Sequence, residues 1–355
     1  MSDQLKYLRD RIDVIDSELL GLMSERAGIA REIGQIKNGM AYRPEREAQV
    51  LARLCQLNPG PLTNAHVVRL FTEIMSLCRS MEEPLTVAYL GPQGTFSEEA
   101  TLKRFGSVVT TLPCTSIDDV FRKVESGGAG YGVVPVENST EGAVGRTLDL
   151  LLQTPLKVCG EIALPIHQHL LALHRDLTRI KKIYSHPQSF SQCHEWLNVN
   201  LPHLTGEARI NAASNADAAR LASMDENAAA VAGKKAGEVF GLTVYATNIE
   251  DDPNNTTRFL VIGAQDVAAS GKDKTSLAMS ARNRPGAIHE LLAPLAEHGV
   301  SMSRLESRPS RAGLWEYVFF VDIEGHQRDV KVAQALQELK AKAAFLKVLG
   351  SYPAV

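Results

Sequence analysis

The chain has 355 residues, 44% apolar and 22% charged, and at roughly 150 residues per domain that length fits two or three globular domains. Lys+Arg 38 against Asp+Glu 41 gives a net charge of −3, so no basic excess points to a nucleic-acid or anionic-membrane partner. No apolar run approaches the ~18 residues of a spanning helix, the charged start MSDQLKYLRDRID lacks a signal-peptide core, and five scattered cysteines without a CxxC argue against disulfides or zinc; a cytoplasmic location is expected.

Residues 5–38 predict one long helix. The stretch has no proline, and Leu8, Ile12, Ile15, Leu19, Leu22, Ile29 and Ile33 recur at three-and-four spacing. Gly21, Gly28 and Gly34 weaken it by about 1 kcal/mol each against alanine, and Asn38-Gly39 is a stop signal. A second helix starts near Pro44 and runs to about Leu57. After the turn Asn58-Pro59-Gly60-Pro61, a third helix, capped by Thr63 or Asn64, runs to about Met81. The first helix has more apolar face than two short helices can cover, which predicts pairing with another copy of the chain.

From Thr86 to about Ala264 strands and helices alternate, an α/β pattern long enough for two small lobes with a cleft between them. Candidate strands are Thr86–Leu90, Tyr131–Val136, Val158–Ala163, Lys182–Ser185, Ala228–Ala232 and Arg258–Gly263. The glycine-rich run Gly127–Gly132 precedes a strand and reads as a turn; no P-loop, Rossmann fingerprint or HExxH occurs. Beyond the polar linker 268–272 come strand Thr275–Ala281, helix Ala287–His298, strands Ser301–Glu306 and Trp315–Ile323, helix Asp329–Lys342 and strand Phe345–Leu349. That βαββαβ order is the ferredoxin-like arrangement.

On a helical wheel of about 100° per residue, Arg26 and Lys37 fall within the apolar stripe of the first helix, whereas Arg9 sits on its shoulder. A buried cation needs an anion. Either acidic residues of the other helices supply it, or the cations form a chamber for an anionic ligand. The second helix adds Arg46 and Glu47, and the third adds Cys78 and Glu82 at i and i+4. Leu8-Arg9, Ser24-Glu25-Arg26, Ile36-Lys37, Arg46-Glu47 and Arg69-Leu70-Phe71 together resemble the helical type of chorismate mutase over residues 1–83. The resemblance implies a dimer with two sites. Arg26 and the partner's Arg9 would hold the two carboxylates of chorismate, and Lys37 a carboxylate and the ether oxygen. Glu47 would take the ring hydroxyl, with Arg46 and Cys78 in the wall. Arg43 falls near the place of an aspartate in some relatives, and Glu82 stands where some have glutamine. Glu82 could donate to the ether oxygen only when protonated, so mutase activity is expected to fall as pH rises.

Four polar motifs mark the middle segment: Gly91–Ser97, Val134–Ser139, Ser185–Cys193 and Asn254–Phe259. The first three follow predicted strands, where ligands gather in open α/β sheets, although each is also ordinary turn chemistry. In order, they resemble prephenate dehydratase over residues 86–264. The resemblance implies a two-lobed cleft with Thr257 as catalytic residue and Asn138, Ser185 and Gln192 lining it. Arg258 is expected either to anchor a substrate carboxylate or to form an ion pair within the fold. Aromatisation needs no electron sink, so no cofactor and no metal are expected. The last segment, with Gly286-Ala287-Ile288 at a strand-to-helix turn and Glu306-Ser307-Arg308-Pro309, resembles an ACT regulatory domain over residues 274–352, which implies allosteric binding of phenylalanine. The whole order resembles the bifunctional P-protein family: an all-α mutase domain, a two-lobed α/β dehydratase domain and an α+β ferredoxin-like domain. Chorismate and prephenate would be its substrates and a homodimer or higher homo-oligomer its assembly, with no nucleic-acid or membrane partner.

Overall fold

The computed structural model describes residues 2–36, 42–281, 284–309 and 317–355. It divides into two compact units, Met1–Leu85 with Leu102–Thr110, and Thr86–Thr101 with Thr111–Val355. Lys37, the Asn38-Gly39 stop and the predicted strand start at Trp315 lie outside the described residues. Among the described residues no helix is long and apolar enough to cross a membrane.

The first unit is helical: α1 Ser2–Ile36, α2 Pro44–Leu57 and α3 Asn64–Ser80. Pro44 opens α2 at its first turn, where a missing N–H costs nothing, and the Thr63 side chain caps α3 by accepting from His66 N at 3.2 Å. The glycines of α1 are tolerated, and Gly34 has a packing reason: a Cβ there would lie 2.9 Å from Glu82 Cγ. The first half of α1 is uncovered, with Leu8, Ile12, Ile15, Leu19 and Leu22 all exposed.

In the second unit, the first lobe contains β1 Thr86–Leu90, α4 Phe96–Phe105, whose last turn belongs to the first unit, β2 Thr110–Cys114, α5 Ile117–Glu125, β3 Tyr131–Asn138, β4 Gly142–Ala143, α6 Gly145–Gln153 and β5 Lys157–Pro165. The second lobe contains β6 His169–Ala172, β7 Lys182–Ser185, α7 Pro187–Gln192, α8 His194–Asn200, β8 Arg209–Asn211, α9 Asn215–Ser223, β9 Ala228–Ala232, α10 Lys234–Phe240 and β10 Thr243–Ala246. The chain then returns to the first lobe as β11 Thr256–Gly263. The sheet orders are β2-β1-β3-β11-β5, with β4 on β3, and β10-β6-β9-β7-β8. Alanine-rich β9 lets α9 approach closely, and Ala218, Ala219 and Ala222 pack with Ala228, Ala230 and Ala232. The two crossings between lobes are bonded to each other, Ile166 N to Asn255 O at 2.8 Å and Ile249 N to Gln168 O at 2.9 Å.

The C-terminal sheet, β13-β14-β12-β15, is built from β12 Asp273–Ser280, β13 Met302–Pro309, β14 Tyr317–Glu324 and β15 Phe345–Pro353, with α11 Ala287–Glu297 and α12 Val330–Lys342. Both faces are buried. Leu277, Met279, Phe319, Val321 and Ile323 pack on the helices with Leu291, Leu295 and Leu339. The alternate positions Ala278, Val318, Phe320 and Tyr352 join Val134, Val136, Leu260 and Ile262 in the core of the first lobe. The ferredoxin-like order is as expected. The sequence reading ended the second strand at Glu306, however, whereas the ladder with β14 carries β13 on to Pro309.

Candidate functional site

In the helical unit, α1, α2 and α3 enclose a cavity of about 300 Å3, lined among others by Arg26, Arg43, Arg46, Glu47, Cys78, Arg79 and Glu82. Four arginines face two glutamates there, a positive balance suited to a compact dianion. The Arg26 guanidinium donates to Cys78 Sγ at 2.8 Å and also acts electrostatically on Glu47. Glu47 is held by Arg79, a residue the sequence reading missed. Arg79 is 5% exposed, donates to Phe105 O at 2.6 Å and lies 5.1 Å from the centroid of the Tyr42 ring. Burial pushes the Tyr42 hydroxyl up to about 12 and raises the Glu47 carboxyl above its usual range, while the Arg79 guanidinium opposes the latter. Five of the expected residues, Arg26, Arg46, Glu47, Cys78 and Glu82, therefore meet in one cavity. Arg9 is exposed on the uncovered half of α1 and is not among the residues lining it.

In the two-lobed segment, Thr257 and Asn138 sit inside β11 and β3, where the sequence reading had them just beyond strand ends. They are opposite each other in register, and Asn138 Nδ2 donates to Thr257 Oγ1 at 2.8 Å and to Asn255 Oδ1 at 3.0 Å. Asn138 Oδ1 accepts from Thr140 Oγ1 at 2.6 Å, and Gln192 Nε2 of the other lobe reaches Thr140 Oγ1 at 3.4 Å. Thr257, Asn138 and Gln192 thus belong to one network of neutral groups. Ser185 does not join it: it is fully buried and its hydroxyl donates to Val231 O at 3.0 Å. Ser189, four residues on, is the hub of the second lobe, accepting from Gln168 Nε2 at 3.1 Å and Asn215 Nδ2 at 2.8 Å. Asn255 and Ser189 were both inside the polar motifs. Thr140, Gln168 and Asn215 carried no local signal.

The expectation that Arg258 anchors a substrate carboxylate is corrected. Next to Thr257 on β11, it points to the opposite face. There it pairs with Glu161 at 2.8 Å and Asp322 at 2.5 Å and donates to Tyr352 Oη at 3.0 Å. Arg308, expected to bind an allosteric ligand, is likewise turned toward the first lobe: it lies 3.3 Å from Asp149 and packs on Gly145. Gly286, with φ +78, caps the start of α11, and Ala287 and exposed Ile288 follow it. Glu306, Ser307 and Pro309 lie on β13 at the edge of its sheet.

Residues 8–83 match the family model for chorismate mutase type II, residues 87–267 that for prephenate dehydratase and residues 275–341 that for the ACT domain. A bifunctional chorismate mutase/prephenate dehydratase of Neisseria gonorrhoeae is 54% identical over 349 residues, which is 97% of this chain and 96% of that one. Its namesake in Pseudomonas aeruginosa is 50% identical over 360 residues, 99% and 98% of the two chains. Among solved structures, a prephenate dehydratase from Arthrobacter aurescens in complex with L-Phe is similar with a TM-score of 0.70 and 34% identity, covering 76% of this chain and 90% of that one. With an arginine-lined helical cavity, a hydrogen-bonded threonine between two lobes and relatives that match from end to end, the chain belongs to the bifunctional chorismate mutase/prephenate dehydratase family.

Proposed function

We propose that the helical cavity rearranges chorismate to prephenate and that the network around Thr257 converts prephenate to phenylpyruvate. The division of the chain into domains 1–83, 86–264 and 274–352 follows these tasks. The observation that carries the first half is the excess of arginine over glutamate around a cavity of small-molecule size. The rearrangement is unimolecular and needs no nucleophile. Its demands are a folded dicarboxylate and positive charge where the ether oxygen becomes negative. Arg26, steadied by Cys78, holds one carboxylate, and Lys37 a carboxylate and the ether oxygen. Glu47, steadied by Arg79, takes the ring hydroxyl, while Arg46 closes the wall and Glu82 faces the ether oxygen. The uncovered apolar half of α1 supports a homodimer in which the partner's Arg9 completes the site.

In the second reaction the C–C bond to the ring carboxylate breaks. Its electron pair moves into the ring, and the C–O bond opposite breaks, so that CO2 and water leave. Asn138 donates to Thr257 Oγ1, which leaves the threonine proton to be directed at the departing oxygen; accepting one hydrogen bond strengthens the one a hydroxyl donates. The groups bonded around it, Asn138, Asn255, Thr140 and Gln192, are neutral. A cation on the leaving carboxylate would favour the ground state over the transition state, and Arg258 is kept from that role by Glu161 and Asp322. Ser185 supports the cleft from behind. Phenylalanine binds at Gly286–Ile288 and along Glu306, Ser307 and Pro309 and inhibits the enzyme, with Arg308 engaged by Asp149 instead; the L-Phe complex of the Arthrobacter aurescens relative supports this reading. A cytoplasmic location is supported by the five free cysteines.

The test is chorismate consumption and phenylpyruvate formation by the full chain, each with and without phenylalanine. Both activities are expected, with the dehydratase inhibited. The mutase rate should fall as pH rises, and Glu82→Gln should flatten that profile. Chorismate loss without phenylpyruvate would leave only the first half standing.

A further inference from the structure

The Thr257–Asn138 pair has a reverse side. On antiparallel β11 and β3, Arg258 lies opposite Glu137 just as Thr257 lies opposite Asn138, and neighbours along a strand point to opposite faces. The neutral pair bonds within the cleft network, while the charged pair lies on the face covered by the C-terminal sheet. Each member of the charged pair is gripped by that sheet. Arg258 meets Asp322 of β14, and Arg304 Nε of β13 donates to Glu137 at 2.6 Å.

The two grips differ in kind. Arg258 is also held by Glu161 of its own lobe, so its place does not depend on the sheet alone. The recorded partner of Glu137 is Arg304, which is on the edge strand and two residues before Glu306. Arg304 is 12% exposed, and among the described residues its Nη2 is buried with no acceptor. A buried donor left unmatched costs free energy, so this contact is the less firmly held of the two. Glu137 in turn adjoins Asn138 in the chain, so a shift of its carboxylate moves the amide that orients Thr257.

We propose that Glu137 and Arg304 are a positioning pair, through which β13 sets the placement of Asn138 against Thr257 and hence the turnover of the dehydratase. Phenylalanine bound along β13 then slows the reaction by favouring the arrangement in which Arg304 has shifted. That second part rests on the phenylalanine reading above, whereas the first does not. A ligand acts in this way only by binding the two arrangements unequally.

The experiment uses the full chain. Arg304→Gln and Glu137→Gln are each expected to lower dehydratase kcat about tenfold or more, with little change in KM for prephenate, because they displace a positioning group rather than remove binding. Mutase turnover in the same preparations reports that the helical unit is folded, and an unchanged KM for prephenate together with phenylalanine binding reports the same of the second unit. Arg304→Lys, which keeps the charge, and the exchanged pair Glu137→Arg with Arg304→Glu are each expected to restore part of kcat. Unchanged kcat in both glutamine variants overturns the proposal, as does a loss that neither the lysine variant nor the exchange recovers. Phenylalanine binding, followed by equilibrium dialysis, separates the second part. The glutamine variants are expected to bind phenylalanine as the wild type does and to lose its inhibition. Variants that bind and remain fully inhibited overturn the coupling. If the wild type binds no phenylalanine, the regulatory reading fails, while the kcat results still decide the pair.

Discussion

The helical cavity and the two-lobed cleft, proposed above to serve consecutive reactions, are built from different materials. The cavity gathers four arginines and two glutamates, with guanidinium groups resting on a thiol, a carbonyl and an aromatic ring. The network around Thr257 is made of amides and hydroxyls, and the arginine beside it is turned away and locked to two carboxylates. The difference follows the charge flow of each reaction. A rearrangement that builds negative charge on an ether oxygen gains from fixed cations. A decarboxylation loses by them if they hold the carboxylate that must depart. Similar substrates therefore do not dictate similar pockets; the transition state does.

The sharpest way to break this contrast is at the hydroxyl. Thr257→Ala is expected to lower phenylpyruvate formation from prephenate about 10²–10⁴-fold, the range for losing a positioned proton donor, with chorismate consumption unchanged. A loss of only a few-fold would mean that aromatisation alone drives departure of the hydroxyl. The reciprocal substitution is Arg26→Ala. It is expected to lower mutase turnover about 10²–10³-fold while dehydratase turnover on added prephenate stays as in the wild type.

A smaller effect probes the scaffold of the charged site. Arg79→Met leaves Glu47 buried without its cation and is expected to destabilise the helical unit by about 3 kcal/mol, seen as an earlier first transition in thermal unfolding. Adding Glu47→Gln to that variant should recover most of the loss, because the uncompensated charge is then gone.

The smallest effect belongs to the neutral side. Burial holds the His169 imidazole below its usual range, with Glu250 opposing, and its Nδ1 accepts from Asn248 N at 3.2 Å. Between its folded and unfolded values the unfolded chain binds the extra proton. Stability should therefore be intact above about pH 6.5 and decline as pH falls through the unfolded value toward the folded one. His169→Gln should flatten that decline in denaturant melts taken across the window.

Much of the charged site was legible in one dimension because its residues sit on helices. Periodicity placed Arg26 in an apolar stripe, and Pro44 with the Asn58–Pro61 turn bounded α2 correctly. Arg79 escaped because it looked like an ordinary basic residue in the last turn of α3. Its burial depends on Tyr42 and Phe105, far away in sequence. The helical spacing nonetheless encodes its place, since Arg79 follows Met75 at i+4 on the buried face of α3. The neutral site was legible only as motifs. That Thr257 meets Asn138 is a matter of register between strands well over a hundred residues apart, which no local pattern encodes. The short strands β2, β6, β8 and β10 went unread for a related reason: three to five residues, some of them buried on both faces, show no alternation. For Arg258 the motif left a substrate contact and an ion pair equally open, because a motif gives adjacency but not facing, and the ion pair is the one formed.

The C-terminal sheet has no idle face. Phe320 and Tyr352 belong to the interior of the catalytic lobe as much as to their own domain, while Phe319 and Val321 belong to the helices behind. A heritable change at Phe320 or Tyr352 therefore touches catalysis and its control in a single stroke, and selection meets the two traits as one. Independent variation of control is left to the rim of the sheet and to its helices, where a new side chain can alter what is sensed without disturbing the interior of the enzyme that responds.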